Sequence, residues 1–341
     1  MPGAAGCARP VDVARTQEWQ AEGRGMNGAF HLLPPSASDA AGRYDTLMLV
    51  EFLVTGFVAL GVAFMIVYFS VRYRRDSDAD RSAAPAGGRK LEIAWIAIPL
   101  LLFLCAFAWA AYDYARLYRD PPGAMPVFVV AKQWMWKLEH ANGRREIDEL
   151  HLPLGQPVKL VMTSQDVIHS FYVPAFRIKQ DVVPGRYTTI SFTPTEAGEF
   201  HLFCAEYCGT EHAAMRGRVV VMRPDQFAAW LQQGDAREGM AARGFALYRR
   251  YGCSGCHEAQ SSVHAPDLHG LLGRTVHLQD GRSLVADEAY VRDSVLLPKK
   301  EVVAGYAPIM PSFAGQIAEE DLLAIIEYLR STGGGDARAG H

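Results

Sequence analysis

A short segment in the second half of the chain combines two thiols, an imidazole and a thioether within twelve positions. Its ligand-forming side chains are Cys204, Cys208, His212 and Met215, and a further histidine, His169, lies upstream in the stretch Asp-Val-Ile-His-Ser-Phe. Soft thiolate and thioether donors together with imidazole select copper or zinc. Because a mononuclear blue-copper site uses one thiolate, the second thiolate indicates two copper ions bridged by both sulfurs. Such a centre would pass single electrons with little rearrangement of its ligands.

A structural zinc site is the alternative interpretation of these residues. Two cysteines and two histidines also satisfy tetrahedral zinc, and their spacing alone does not separate the two metals. The additional donor Met215 and the motifs on either side of the segment favour copper.

A second motif, Cys253-Ser-Gly-Cys256-His257, follows the first along the chain. C-x-x-C-H is typical of covalent haem c attachment, with two thioether bonds and an adjacent imidazole as an iron ligand. Met310, in the stretch Tyr-Ala-Pro-Ile-Met-Pro-Ser-Phe, is the predicted second axial ligand, and such Met/His ligation raises the reduction potential. Three histidines could compete for that position by residue type alone: His264, His269 and His277.

The remaining composition limits the class of protein. A chain of 341 residues is long enough for two or three domains, and its net charge of -3 says little by itself. Four of the six cysteines belong to the two motifs, so no disulfide framework is implied. Two stretches, about 46–71 and 91–114, are apolar and long enough to be membrane helices.

The charge of the loop between these stretches predicts the topology. Its basic residues place it in the cytoplasm by the positive-inside bias, so both termini face outward. We therefore predict an outer segment over 1–45 and a transmembrane hairpin over 46–118, with aromatic residues at the outer interface. The first 40 or so residues lack the apolar core of a secretory signal, and Met26 is an alternative start.

Two further domains are predicted beyond the hairpin. After Pro121-Pro122-Gly123, short β-branched runs separated by Gly and Pro indicate a Greek-key sandwich or barrel over 124–233. Helical patterns at 239–251, 287–296 and 318–329 indicate an all-α domain over 239–332, followed by a flexible tail over 333–341. The copper ligands then fall in loops of a rigid sheet, which suits a redox site.

Taken together, these motifs resemble subunit II of the haem-copper cytochrome c oxidases, in the bacterial variant with a C-terminally fused cytochrome c domain. The resemblance covers nearly everything from about residue 33 to residue 332. Its markers are Glu92-x-x-Trp95-x-x-x-Pro99, Lys132-Gln-Trp134-Met-Trp136, Asp166-Val-Ile-His169-Ser, Phe176-Arg-Ile-Lys-Gln-Asp181-x-x-Pro184-Gly-Arg186 and the copper segment.

The resemblance implies a multidomain membrane protein with a two-helix hairpin, a cupredoxin-like Greek-key β-barrel and an all-α class I cytochrome c domain. It also implies a binuclear copper centre, CuA. Its ligands would be the side chains of His169, Cys204, Cys208, His212 and Met215, together with the backbone carbonyl of Glu206. By the same resemblance, the Glu206 side chain would reach a magnesium ion shared with subunit I.

Roles outside the metal sites also follow from the resemblance. Trp134 matches the tryptophan through which electrons enter the copper centre, whereas Trp136 is expected to be a core aromatic. Glu92 corresponds to a carboxylate at the mouth of a proton channel, although an interfacial charge is an equal alternative. The implied partners are oxidase subunits I and III, membrane lipid, and either cytochrome c or a quinol-oxidising complex as donor, with no nucleic acid. The implied location is the bacterial inner membrane, crossed more than once.

The function predicted on this basis is electron transfer from an external donor through haem c to CuA and on to subunit I, where oxygen is reduced. Subunit II of a quinol oxidase is the nearest competing interpretation, but that branch is expected to lack the copper ligands. A membrane-anchored copper-binding assembly protein would need exchangeable ligands and no haem. A free-standing anchored cytochrome would leave Glu92 and Glu206 hard to explain, because both are expected to face a subunit I.

Overall fold

The computed structural model describes residues 33–80, 88–232, 239–261 and 263–333. Two long helices come first, α1 (Asp39–Arg72) and α2 (Arg89–Leu117). Both are long and apolar enough to cross a membrane, because about 20 residues span the hydrocarbon core. They extend past the predicted apolar stretches at both ends, and Ser38 Oγ caps α1 by accepting a hydrogen bond from the Ala41 backbone N–H at 3.0 Å.

Several predicted segments fall partly or wholly outside the described residues. These are the part of the outer segment before residue 33, including Met26, part of the basic loop at 81–87, the connector at 233–238, and the tail after residue 333.

Between residues 125 and 222, ten strands form two five-stranded sheets. The strands are β1 (Met125–Lys132), β2 (Met135–His140), β3 (Arg145–Ile147), β4 (Glu149–Pro153), β5 (Val158–Ser164), β6 (His169–Val173), β7 (Ile178–Val182), β8 (Thr188–Phe192), β9 (Gly198–Cys204) and β10 (Arg216–Met222). One sheet has the order β3-β2-β1-β5-β8 and the other β4-β10-β9-β6-β7. Parallel pairs β1–β5 and β4–β10 lie within otherwise antiparallel sheets. This two-sheet arrangement confirms the predicted cupredoxin-like β-domain.

The core of this domain lies between the two sheets. Side chains that alternate along β1, such as Val127 and Val129, join Leu202 of β9 and Val219 of β10 in one buried cluster. Trp136 is fully buried there, with its ring centroid 5.3 Å from that of Phe171 in an edge-to-face contact. The prediction that Trp136 is a core aromatic agrees with this position.

Strands β1 and β5 are buried on both faces. All seven residues of β5 are buried. In a sheet that is covered on one face only, buried and exposed residues would alternate along the strand. The outward-facing Phe128, Val130, Val161 and Tyr187 belong to a second buried cluster, formed with the C-terminal helices. The outer face of the first sheet is therefore covered by the C-terminal domain.

The C-terminal region is mainly helical, as predicted. After α3 (Pro224–Gln232), which packs on β4 of the β-domain, its elements are α4 (Met240–Arg250), α5 (Ser254–His257), β11 (Thr275–His277), β12 (Ser283–Val285), α6 (Glu288–Leu296) and α7 (Glu319–Thr332). The β11–β12 hairpin departs from an all-α domain. Its strands have three residues each and its turn uses Gly281 at φ +85°, so it is too short to leave a periodic pattern.

Helices α4 and α7 cross at Gly244. A Cβ atom at that position would lie 1.9 Å from the Ala324 carbonyl oxygen, so only glycine allows the two backbones to approach this closely. The crossing places the haem-binding motif, which follows α4 directly, at a fixed position relative to α7.

Candidate metal and haem sites

The predicted copper ligands come together at one end of the β-domain. His169 is the first residue of β6, Cys204 is the last of β9, and the segment after Cys204 returns to β10. The Cys204 and Cys208 Sγ atoms lie 3.8 Å apart, and Cys204 Sγ lies 3.9 Å from His169 Nδ1. Cys208 Sγ lies 3.4 Å from His212 Nδ1 and 3.8 Å from Met215 Sδ.

These separations suit ligands that share metal ions. A disulfide would place the sulfurs about 2.05 Å apart, whereas both thiols are free. Two donors that are each about 2.0–2.3 Å from one tetrahedral ion lie about 3.3–3.8 Å from each other. His169, Cys204, Cys208 and Met215 are also buried, so the site excludes water. The donor set and its spacing therefore fit copper.

Asp166 orients the His169 imidazole. Its Oδ1 lies 2.8 Å from His169 Nε2, which leaves Nδ1 facing the thiols. This is the carboxylate–imidazole contact that fixes the tautomer of metal-binding histidines. Burial raises the pKa of Asp166, but hydrogen bonds from the Gln133 backbone N–H and from His169 outweigh it and lower the pKa below the ordinary value.

The environment of Cys204 favours the thiolate form of its side chain. Burial raises its pKa, but the contact with His169 and the hydrogen bond from the Ser170 backbone outweigh burial and bring the pKa to about 6. A thiolate is the metal-binding form of cysteine, so Cys204 can take up a metal at neutral pH. Its Sγ also lies 3.2 Å from the Glu206 carbonyl oxygen, the predicted backbone ligand.

The loop that carries Cys208 is held by the turn between β1 and β2. Gln133 Nε2 and Trp134 Nε1 donate to the Cys208 carbonyl at 2.7 and 3.3 Å. Gly209 has φ +120°, and a Cβ atom there would lie 2.9 Å from Gln133 Nε2. The sequence motifs assign no role to Gln133, Asp166 or Gly209. Their functions depend on contacts between segments distant in sequence.

The two predicted acidic residues outside the copper cluster are both exposed. The Glu206 side chain is exposed beside the copper segment. Glu92 lies in the first turn of α2, at the end opposite the β-domain.

The C-terminal domain contains a cavity of about 420 Å³ lined mainly by apolar side chains. Cys253, Cys256, His257 and Met310 all line it, with Cys253 and Cys256 three positions apart around the short helix α5. Both thiols are free. An apolar cavity bounded by two thiols, an imidazole and a thioether fits a covalently attached haem.

His257 is oriented for metal binding, because its Nδ1 lies 2.8 Å from the Pro266 carbonyl oxygen and Nε2 remains for the iron. Among the competing histidines, only His264 lines the cavity, where it stacks on Tyr306 with ring centroids 4.7 Å apart. His269 and His277 do not line it; their side chains contact Asp267 and Ser283.

Charged residues join the two domains beside the shared apolar cluster. Lys159 on β5 lies 2.9 Å from Glu288 at the start of α6, and Arg330 of α7 reaches the same carboxylate at 2.6 Å. Lys159 and Glu288 are only 8% and 3% exposed. Further along the contact, Gln165 Nε2 donates to Glu320 Oε1 at 2.7 Å, next to Asp166 of the copper site. We call the residues of this contact the interdomain seat: Phe128, Val130, Lys159, Val161, Gln165, Tyr187, Glu288, Glu320 and Arg330.

Two families match adjacent parts of the chain. Residues 144–222 match the family described as cytochrome c oxidase subunit II, periplasmic domain, and residues 241–333 match the cytochrome c family. The first match contains all the proposed copper ligands, and the second contains the C-x-x-C-H motif and Met310.

Several curated relatives are named cytochrome c oxidase subunit 2, and the matches cover most of their length. Cytochrome c oxidase subunit 2 of Thermostichus vulcanus is 30% identical over 60% of this chain and 79% of its own. The protein of the same name from Alkalihalophilus pseudofirmus is 28% identical over 88% and 90%. The solved periplasmic domain of subunit II from Bradyrhizobium japonicum is 27% identical, covers 33% of this chain and 95% of its own, and has a TM-score of 0.32. From the sequence matches, and in agreement with the predicted resemblance, the chain belongs to the cytochrome c oxidase subunit II family of oxidoreductase subunits, in the form that carries a C-terminal cytochrome c domain.

Proposed function

We propose that this chain receives electrons from an external donor at a haem c and passes them through a binuclear CuA centre to subunit I of the oxidase. The observation that carries the proposal is that both donor sets lie in one chain, in two domains joined by the buried interdomain seat. When bound, the haem and the copper pair supply the one-electron redox chemistry, while the protein supplies binding, orientation and a fixed separation.

At the copper site, neighbouring residues hold the ligand side chains in place and exclude water. The thiolates of Cys204 and Cys208, the imidazoles of His169 and His212, the Met215 thioether and the Glu206 carbonyl would hold the two copper ions, with Met215 as a weak ligand. Their spacing of 3.2–3.9 Å between donor atoms supports this assignment. Because the surrounding contacts already fix the ligands, redox change requires little movement.

Trp134 is the proposed point at which electrons enter the copper centre. Its indole N–H donates to the Cys208 carbonyl, and its side chain is only partly buried, so it connects the surface with a copper ligand. Cys253 and Cys256 would attach the haem through thioether bonds, and His257 and Met310 would be the ligands of its iron. The shared cavity and the Pro266 contact support these roles.

Contacts with other subunits form a second part of the proposal. The exposed Glu206 side chain would share a magnesium ion with subunit I, and Glu92 would lie at a proton-channel mouth. Both carboxylates are exposed on this chain and are therefore accessible to a partner subunit. Subunit III, and either cytochrome c or a quinol-oxidising complex as donor, complete the proposed assembly.

The two apolar helices and the periplasmic family match fit a membrane-anchored protein. We further propose that the chain crosses the bacterial inner membrane twice, with both termini and both redox domains outside. The basic residues between the helices support this orientation.

Metal and haem analysis with electron paramagnetic resonance on the full-length chain tests the redox assignment. We expect two coppers that share one delocalised spin, beside one covalent low-spin haem. Cys204→Ser should abolish the mixed-valence copper signal and leave the haem spectrum intact, whereas Met310→Ala should leave the haem attached but lower its potential. One zinc, one loosely held copper, or an unaltered copper signal in Cys204→Ser would contradict the proposal.

A further inference from the structure

A second cavity, of about 430 Å³, lies where the two long helices meet the β-domain. Its walls come from the start of α1, the end of α2 with the following turn, and the end of β8. The lining residues with charged side chains are Asp39, Arg43, Arg116, Arg119 and Asp120. Neither redox centre uses this cavity.

The carboxylates of this cavity already have cationic partners. Asp39 Oδ2 lies 2.8 Å from Arg43 Nη1, and its Oδ1 accepts a hydrogen bond from the Thr193 backbone at 2.8 Å. Asp120 Oδ2 accepts from Lys159 Nζ at 2.7 Å. Both acids are therefore neutralised within the protein.

The guanidinium groups of Arg116 and Arg119 differ in this respect. Both side chains are exposed, and within the described part of the chain neither forms an ion pair with a carboxylate. Arg116 instead lies over the Tyr112 ring, 5.7 Å from its centroid. Two guanidinium groups lining one cavity without an acidic partner favour an anion with several oxygen acceptors, and phosphate is the group that arginine binds best in this way.

The position of the cavity along the helices indicates where that phosphate comes from. Arg116 lies two residues beyond the apolar stretch of α2, and Arg43 lies three residues before that of α1. At about 1.5 Å per residue, these residues are roughly 3–5 Å outside the hydrocarbon core. The headgroup layer is roughly 5–8 Å thick on each side of that core. The cavity thus lies at headgroup level on both helices.

We propose that this cavity binds the phosphate of one outer-leaflet phospholipid through Arg116 and Arg119, with its acyl chains along the exposed apolar flanks of α1 and α2. The inference rests on the proposed topology, which puts this end of the hairpin outside. Because Asp120 also pairs with Lys159, the cavity shares a wall with the interdomain seat. The bound lipid would tie the membrane helices to the redox domains.

Native mass spectrometry of the haem-loaded, full-length chain in mild detergent tests the site, with phosphatidylglycerol and phosphatidylethanolamine as probes and inorganic phosphate as a separate arm. The wild-type chain should retain one phospholipid at collision energies that remove all others. The double variant Arg116→Gln/Arg119→Gln should weaken that binding about tenfold or more, since two charge-assisted contacts are lost. Arg72→Gln, which removes an arginine at the opposite interface, should retain the lipid.

Three results would overturn the inference: equal loss of lipid in the double variant and Arg72→Gln, retention in both, or binding of inorganic phosphate with no retained phospholipid. The haem spectrum of the double variant must remain that of the wild-type chain, which excludes misfolding. Labelling of intact membranes that contain the wild-type chain, from either side and before detergent is added, separates the two proposals. If the redox domains are outside but no lipid is retained, only this inference fails; if they are inside, the proposed topology fails too.

Discussion

Lys159 Nζ, in a fully buried strand of the β-domain, lies 2.9 Å from Glu288 Oε1 at the first turn of a helix in the cytochrome c domain. A buried lysine and a buried glutamate are tolerated only because they neutralise each other, with Asp120 and Arg330 as further partners. The pair therefore fixes the position of the two domains relative to each other.

Replacement of Glu288 by glutamine should loosen this contact. It leaves Lys159 and Arg330 buried against an uncharged amide, and breaking a buried ion pair costs about 3 kcal/mol or more. We expect a lower urea midpoint for the full-length chain and faster hydrogen exchange in β1 and β5. Asp280→Asn, which breaks an exposed pair with Arg282, is the matched control and should change stability by less than about 1 kcal/mol. Equal effects of the two changes would contradict the structural role of Glu288.

The stability contributed by Glu288 should depend on pH. Burial raises its pKa, but Lys159 and Arg330 outweigh burial, so the folded pKa lies below the ordinary value of 4.5. The contribution is therefore complete above about pH 4.5 and is lost as the pH falls through the folded pKa. The difference in unfolding free energy between wild type and Glu288→Gln should shrink below that pH. A difference that stays constant down to acid pH would contradict this linkage.

Asp166→Asn should weaken the copper site without removing a ligand. The amide cannot hold the His169 imidazole as the carboxylate does, and loss of such a contact typically costs about 10–100-fold in metal affinity. The measurement is copper affinity by competition with a chelator, together with the hyperfine pattern of the copper signal. Asp225→Asn removes an exposed carboxylate paired with Arg223 and should change neither. An unchanged affinity in Asp166→Asn would show that the contact does not support His169.

Gly209→Ala should disturb the copper loop for steric reasons. The added methyl would lie 2.9 Å from Gln133 Nε2 and 3.2 Å from Trp134 Cζ2, at a backbone φ of +120°. We expect destabilisation of about 1–3 kcal/mol and a lower copper content after dialysis. Gly155→Ala also places alanine at a positive φ, of +75°, but meets no atom within 4 Å, so it is the control for a positive φ without the steric contact. Equal copper loss in both variants would show that the contact with the β1–β2 turn is unimportant.

The sequence indicates the metal-binding residues because most of them are close together in the chain. Cys204 to Met215 and Cys253 to His257 carry ligand types at spacings that a single loop or turn brings together. Asp166, Gln133 and Gly209 carry no such pattern. Their roles arise only when the β1–β2 turn and the copper loop meet, which requires the complete two-sheet fold.

The interdomain seat is the part of the fold that the sequence pattern does not predict. Lys159 lies in an otherwise apolar run, and its partner Glu288 is 129 residues away, so no local pattern connects the two. Only the structure shows that all seven residues of β5 are buried, so that the strand is covered on both faces, and that the C-terminal domain provides the cover.

Time-resolved reduction of the full-length chain, loaded with haem and copper, tests the central claim most directly. A photochemically generated reductant first reduces the haem, and absorbance then follows the haem and copper bands separately. The account predicts that haem oxidation and copper reduction share one first-order rate that does not change with protein concentration, because both centres lie in one chain at a fixed separation. A rate that rises in proportion to protein concentration, or copper that stays oxidised while the haem remains reduced, would contradict it.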